Sequence, residues 1–281
     1  MILIGGVERT VDTSTWSQLA QSIYEQKRNS PITYSYNSVE HLNFEMKLRS
    51  NIVEAAKGLN ESGVRFTTFK NARCNEQFWN LTAEGGFRLK EGITPAAGIR
   101  DIFVNGRMYG FECATAVVIV LYRGVLDSIQ ETEFNRIFAN LLLYDWHYDS
   151  DLRLIQEQGS EHAYPGDVLY FKNPEFNPET PQWRGENAVK VADNLYYGHG
   201  IGIRSKEGIL FTLNRFRLPF STTSAYLTDQ VIHPDFLYIS KFASGAAITS
   251  VSADEQISTR SPYIYARIGG QRFIRDQLFS A

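Results

Sequence analysis

The chain has 281 residues, 43% hydrophobic and 21% charged, enough to bury a substantial core as one large domain or one domain with an appendage. Its formal net charge is only -3 and no block of Lys and Arg tracks along it, which argues against a nucleic-acid partner. Met1-Ile-Leu-Ile-Gly-Gly lacks the basic and apolar regions of a secretory signal, and the longest apolar run falls short of the roughly 20 residues of a membrane span. The expectation is therefore synthesis in the cytoplasm, without export and without a membrane partner.

The N-terminal third reads as helical. Ser14 to Arg28 carries Trp16, Leu19, Ile23 and Tyr24 at helical spacing, and Asn37-Ser-Val-Glu40 is a capping signature for a helix with Leu42, Met46 and Val53 that stops near Gly63. Residues 64–112 mix Gly, Phe and Asn without a clear period. Cys113 then opens the longest apolar stretch, Tyr109 to Tyr122, read as a buried helix, and a second helix is expected from about Glu131 to Leu143. Beyond Trp146-His-Tyr148 the period changes. Val168–Phe171, Ala188–Val191, His199–Ile203, Gly208–Leu213 and Phe236–Ile239 are short β-type runs between turn residues, as in an antiparallel sheet. The proline-bearing loop Asn173 to Trp183 suits a wall beside a site as well as an ordinary connection. Helices followed by strands make the fold class α+β, with helices packed on an antiparallel sheet. Residues 1–243 are read as one catalytic domain. In 244–281 an Ala/Ser/Thr stretch followed by Tyr263 to Arg275 reads as a partly flexible extension with a short docking segment.

Three residue types at these positions can be assembled into an acyl-transfer site. A cysteine in the first turn of a helix meets unpaired N–H groups and the positive end of the helix dipole, which favour thiolate and lower the pKa below about 8.5. Cys113 is equally readable as a small buried hydrophobe, and a bridge to Cys74 would remove the nucleophile. With no further cysteines, no zinc spacing and no calcium-binding loop, no metal or cofactor is expected. A cysteine nucleophile needs a base, and that base needs an orienting partner. Of five histidines, His199 lies in Leu195-Tyr-Tyr-Gly-His-Gly-Ile-Gly-Ile203, where alternation puts Tyr197, His199 and Ile201 on one face and glycines on the other. Glu186 begins a strand that a hairpin through Asp193-Asn194 brings beside the His199 strand, and Glu112 is the competing carboxylate. Trp146, Trp183 and Tyr197 are candidates for an apolar channel that holds a lysine stem, with core packing an equal reading for the two tryptophans.

Taken together, Tyr109-Gly-Phe-Glu-Cys-Ala-Thr-Ala116, Leu143-Tyr-Asp-Trp-His-Tyr148, Pro165-Gly-Asp-Val168, Asn173 to Pro181, Trp183-Arg-Gly-Glu-Asn187 and Leu195 to Ile203 resemble the spore-coat transglutaminases of bacilli, protein-glutamine γ-glutamyltransferases. The resemblance spans residues 30 to 240. It implies a papain-like core of the NlpC type, with the nucleophile at Cys113, the histidine at His199, the acidic partner at Glu186 and Glu112 sharing that role. It also implies a calcium-independent enzyme, made in the mother-cell cytoplasm and then deposited on the spore coat, that joins glutamine and lysine side chains of coat proteins through a thioester. Tyr164-Pro-Gly-Asp-Val-Leu-Tyr-Phe171 and the His199 strand are shared with NlpC-like cysteine peptidases or amidases, which keeps a hydrolase as the alternative, and the aromatic content keeps a noncatalytic coat protein as a third.

Overall fold

The computed structural model, which describes residues 1–243, 263–268 and 271–276, begins with a small unit of its own. Strands β1 (Ile2–Ile4) and β2 (Val7–Glu8) form a hairpin, helix α1 (Gln18–Asn29) follows, and β3 (Tyr34–Tyr36) returns parallel to β1. Ser17 caps α1 by accepting from the Ala20 N–H, and the helix buries Ala20, Ile23 and Tyr24. Helix α2 (Val39–Glu61) starts where the sequence signals it, with the Ser38 side chain accepting from the His41 N–H.

Short strands β4 (Arg65–Phe66), β5 (Trp79–Leu81) and β6 (Phe87–Leu89) lead to α3 (Pro95–Val104). A two-residue strand, β7 (Gly110–Phe111), then pairs in parallel with β4 and delivers the chain to α4 (Cys113–Leu126). Val117, Val118, Ile119, Val120 and Leu121 of α4 are fully buried, each contributing about 1.5–3 kcal/mol of apolar burial. Helix α2 lies directly against α4. A Cβ placed on Gly124 would come within 2.5 Å of Ile52 Cγ1 and 3.0 Å of the Ile52 backbone N, so only glycine permits this crossing. Helix α5 (Glu131–Ile137) is shorter than the pattern predicts, because Leu142–Leu143 leave the helix and pair with β6 as strand β8.

The main sheet is built from β9 (Leu154–Gln158), β10 (Val168–Lys172), β11 (Gly185–Ala192), β12 (Leu195–Gly198), β13 (Gly202–Arg204) and, after helix α6 (Lys206–Asn214), β14 (Tyr226–Pro234). Its order is β13-β12-β11-β10-β14-β9, with all neighbours antiparallel, and α7 (Phe236–Ser240) follows. Val168, Val189, Val191 and Tyr197 face the α2–α4 core, while Leu169, Phe171, Ala188 and Tyr196 pack with Ile209 and Leu213 of α6 on the other face. This is the α+β arrangement of helices on an antiparallel sheet.

Two strands expected from the sequence are helices, and a third is a strand only in part. Gly208–Leu213 lies in α6, capped by Ser205 accepting from the Gly208 N–H, and Phe236–Ile239 lies in α7, capped by Asp235 accepting from the Tyr238 N–H. A short apolar run has no decisive period, and the capping side chain settles its state. The third, His199–Ile203, is strand only at its end: His199–Ile201 form a turn between β12 and β13, with Gly200 at φ +97°, and Gly202–Ile203 begin β13. Strands β15 (Tyr263–Ile268) and β16 (Gln271–Asp276) form an antiparallel hairpin, so the expected docking segment is a β-ribbon. The Ala/Ser/Thr stretch read as flexible lies outside the described residues. Among the described residues no helix is long and apolar enough to cross a membrane.

Candidate active site

The β4–β7 ribbon fixes the backbone entering α4, so Cys113 occupies the first helical position and Glu112 the cap. The Glu112 carboxylate accepts from the Ala114 N–H at 3.3 Å and from the Cys113 S–H at 3.2 Å. Cys113 and Cys74 are both free thiols. The expected lowering of the Cys113 pKa does not occur. Burial, and then the nearby carboxyl groups of Glu186 and Glu112, push it well above the ordinary thiol value and outweigh the helix start. Cys113 rests as a thiol.

His199 is buried in its turn. Its Nδ1 lies 3.0 Å from the Tyr197 hydroxyl, its ring is 5.0 Å from the ring of Phe111 and 5.9 Å from that of Phe66, and its Nε2 has no hydrogen-bond partner. Burial pulls its pKa down to about 4, against the opposing pull of the Arg65 and Phe111 backbone, so the imidazole is neutral. Phe111 stands two residues before Cys113, and one short strand therefore supports both groups. Among the described residues the sulfur and the imidazole share no hydrogen bond in this resting arrangement.

The hairpin through Asp193-Asn194 forms as read, with Ala188 opposite Gly198 and Val189 opposite Tyr197. Alternation then separates neighbours on β11. Glu186 projects to the Gly198 face, where a Cβ on Gly198 would meet its Cγ at 2.9 Å, so the bare strand leaves room for the carboxyl group. Both Glu186 side-chain oxygens are buried without a hydrogen-bond partner, and burial raises its pKa well above the usual carboxylate range. Asn187 projects to the opposite face, where its Nδ2 donates to the Cys113 sulfur at 3.9 Å. Sequence reasoning passed over Asn187, although it stands in phase with Val189 and the Tyr197 face.

A cavity of about 520 Å³ opens over the sulfur, lined by Glu112, Cys113, Asp145, Trp146, Arg184, Asn187 and Gln230 among others. Trp146 is in its wall. Pro181 and Gln182 are also in the wall, so the end of the proline-bearing loop borders the site. Trp183 and Tyr197 do not line it. Trp183 stacks on Phe216 at 4.3 Å and packs against Phe66, forming an aromatic block behind the imidazole. Tyr197 is 1% exposed, and its hydroxyl is committed to His199 rather than to a lysine stem. Among the described residues no group of three His, Cys, Asp or Glu side chains is arranged to hold a metal ion.

The family model for protein-glutamine gamma-glutamyltransferase matches residues 1–243. The chain belongs to this family. A protein-glutamine gamma-glutamyltransferase of Bacillus cereus is 45% identical over 237 residues, which is 84% of each chain. One from Bacillus mycoides is 47% identical over 210 residues, 75% of this chain and 76% of the relative. The solved transglutaminase of Geobacillus stearothermophilus, without its C-terminal extension, superposes with a TM-score of 0.71 at 50% identity and covers 74% of this chain and 99% of its own.

Membership makes the chain an acyltransferase of protein glutamine, with protein glutamine and lysine side chains as its substrate groups. The geometry matches that chemistry in kind: a neutral thiol and the Glu112 carboxyl group line a cavity with an aromatic wall, the Glu186 carboxyl group lies near the sulfur behind that lining, and a buried neutral imidazole packs on Phe111 two residues before the thiol. Neither the thiol nor the imidazole is charged at rest, so an acyl transfer through them would have to create charge during the reaction.

Proposed function

We propose that residues 1–243 form the catalytic domain of a spore-coat transglutaminase in which Cys113 is the nucleophile and His199 the proton carrier. The Cys113 sulfur attacks the γ-carboxamide of a protein glutamine, its proton passes to His199, and the imidazolium protonates the departing ammonia, leaving a γ-glutamyl thioester. A lysine amine then attacks the thioester, His199 takes its proton, and the thiol leaves with an isopeptide bond formed. The Tyr197 hydroxyl holds the ring by Nδ1 at 3.0 Å, a positioning role. Glu186 and Glu112 share the balancing of the imidazolium, whose positive charge offsets the cost of ionising a buried carboxyl group. Trp146 accepts the lysine methylenes and limits water, which would otherwise hydrolyse the thioester to glutamate. The chemistry needs no cofactor and no calcium. Spore-coat proteins as partners, and a passage from mother-cell cytoplasm to coat, extend this reading.

The observation that carries it is the free Cys113 thiol at the start of a buried helix, beside carboxyl groups and beneath an open cavity, in a member of this family. The test is mass spectrometry of the protein after exposure to a glutamine peptide without amine. An adduct on Cys113 with loss of ammonia is expected, and added primary amine should discharge it into an amide. A protein that only hydrolyses peptide bonds and never incorporates amine would return the hydrolase alternative.

A further inference from the structure

The reaction creates a negative oxygen when sulfur adds to the glutamine carbonyl, and something must donate to it. The backbone hydrogens at the start of α4 are the obvious source, but they are engaged: the Glu112 carboxylate accepts from the Ala114 N–H at 3.3 Å, and the Cys113 N–H also faces that carboxylate. Asn187 is differently placed. Its side chain reaches the cavity from the opposite wall, and among the described residues its only hydrogen-bond partner is the Cys113 sulfur at 3.9 Å, a long contact that a substrate oxygen can replace. Its backbone is the one neighbour here that favours the sulfur anion, against burial and both carboxyl groups. The hydrogen-bonded strand pair β10–β11, with Asn187 opposite Tyr170, holds it on a rigid element.

We propose that Asn187 is a catalytic residue, the side-chain donor to the oxyanion formed at the glutamine carbonyl. As the C–S bond forms, the carbonyl electron pair moves to oxygen and the Asn187 Nδ2–H donates to it. When the carbonyl reforms, the C–N bond breaks, and the nitrogen leaves as ammonia with the proton held by His199. Donors of this kind contribute about 10²- to 10³-fold to kcat. The same donor serves the second half-reaction, because lysine attack on the thioester builds an oxygen anion on the same carbon.

This rests on Cys113 being the nucleophile, and the test separates the two claims. Asn187→Ala and Asn187→Thr are compared with the unaltered protein in amine incorporation and in alkylation of Cys113 by iodoacetamide at its high-pH plateau. Alkylation displaces iodide at a saturated carbon and forms no oxyanion. The expected result is loss of amine incorporation by about 10²- to 10³-fold, with alkylation kept within a few fold. Incorporation kept within a few fold overturns the proposal, as does a parallel fall in both reactions, which would mark a packing role. Thr suits a strand, so one variant reports even where the other fails to fold. An unaltered protein that incorporates amine while its Cys113 forms no thioester would instead remove the nucleophile reading.

Discussion

Two of the buried polar clusters among the described residues are built on opposite rules. Around α2, Lys27, Glu45, Arg49 and Asp167 are buried and fully paired: Lys27 to Glu45 at 2.6 Å, Arg49 to Glu45 at 2.7 Å and to Asp167 at 2.6 Å, with Tyr36 donating to Glu45 at 2.8 Å. Burial alone would raise Glu45, yet Lys27 and Arg49 hold it well below the carboxylate range, and Lys27 falls only to about 8. Around Cys113, the Glu186 oxygens and the His199 Nε2 have no hydrogen-bond partner, and each group is driven toward its neutral form. Equal burial gives charge where partners are supplied and neutrality where they are withheld. The first cluster ties the N-terminal unit to the Pro165-Gly-Asp167 corner, while the second is left unsatisfied, as buried groups at functional sites often are.

The comparison breaks first at the base. His199→Ala should lower amine incorporation by about 10²- to 10⁴-fold, while Glu186→Ala keeps measurable activity because Glu112 remains beside the sulfur. Equal and total loss in both variants would deny that sharing. In the paired cluster, Arg49→Ala strands Glu45 and Asp167 and should cost about 3–5 kcal/mol in denaturant unfolding, with kcat of the folded fraction little changed. A loss below 1 kcal/mol would show that the pairing is not what stabilises that corner.

Acid separates the clusters in another way. The folded pKa of His199 lies below its ordinary 6.5, so its contribution to stability is present above about 6.5 and is lost as pH falls toward 4, amounting to about 3 kcal/mol. Glu186 acts in the opposite sense. Its raised pKa means that stability declines as pH climbs from 4.5 toward its folded value. Melting curves of the unaltered protein and of His199→Ala should therefore diverge as pH falls from 6.5 to 4, and parallel curves would refute a buried neutral imidazole. The smallest effect is expected at Tyr197→Phe, which keeps the ring and removes the hydroxyl from Nδ1. Activity should fall by about fivefold, the scale of one net hydrogen bond of roughly 1 kcal/mol, with a changed ¹⁵N signal at His199. Unchanged activity and an unchanged signal would leave Tyr197 as core packing.

Much of this was legible in residues. The Ser38 cap, the placement of Cys113 in a first helical turn and the Asp193-Asn194 hairpin rest on local chemistry, and each formed where the sequence put it. The α6 and α7 segments were misread because their apolar runs are too short to carry a period, and the information lay in Ser205 and Asp235 just ahead of them. The Cys113 protonation state could not be read at all. It depends on β11 arriving with Glu186 on one face and Asn187 on the other, a tertiary fact. Tyr197 is a channel candidate on its aromatic character alone, and only packing shows its hydroxyl turned to His199.

The contact between Gly124 and Ile52 lies eleven residues along α4 from the sulfur, about 16 Å at the rise of an α-helix. At that spot a single added methyl would act as a wedge, and the helix would act as a lever whose far tip carries the thiol. A side chain at residue 124 would thus be felt along the whole of α4, whose other end the β4–β7 ribbon and the Glu112 cap hold in place.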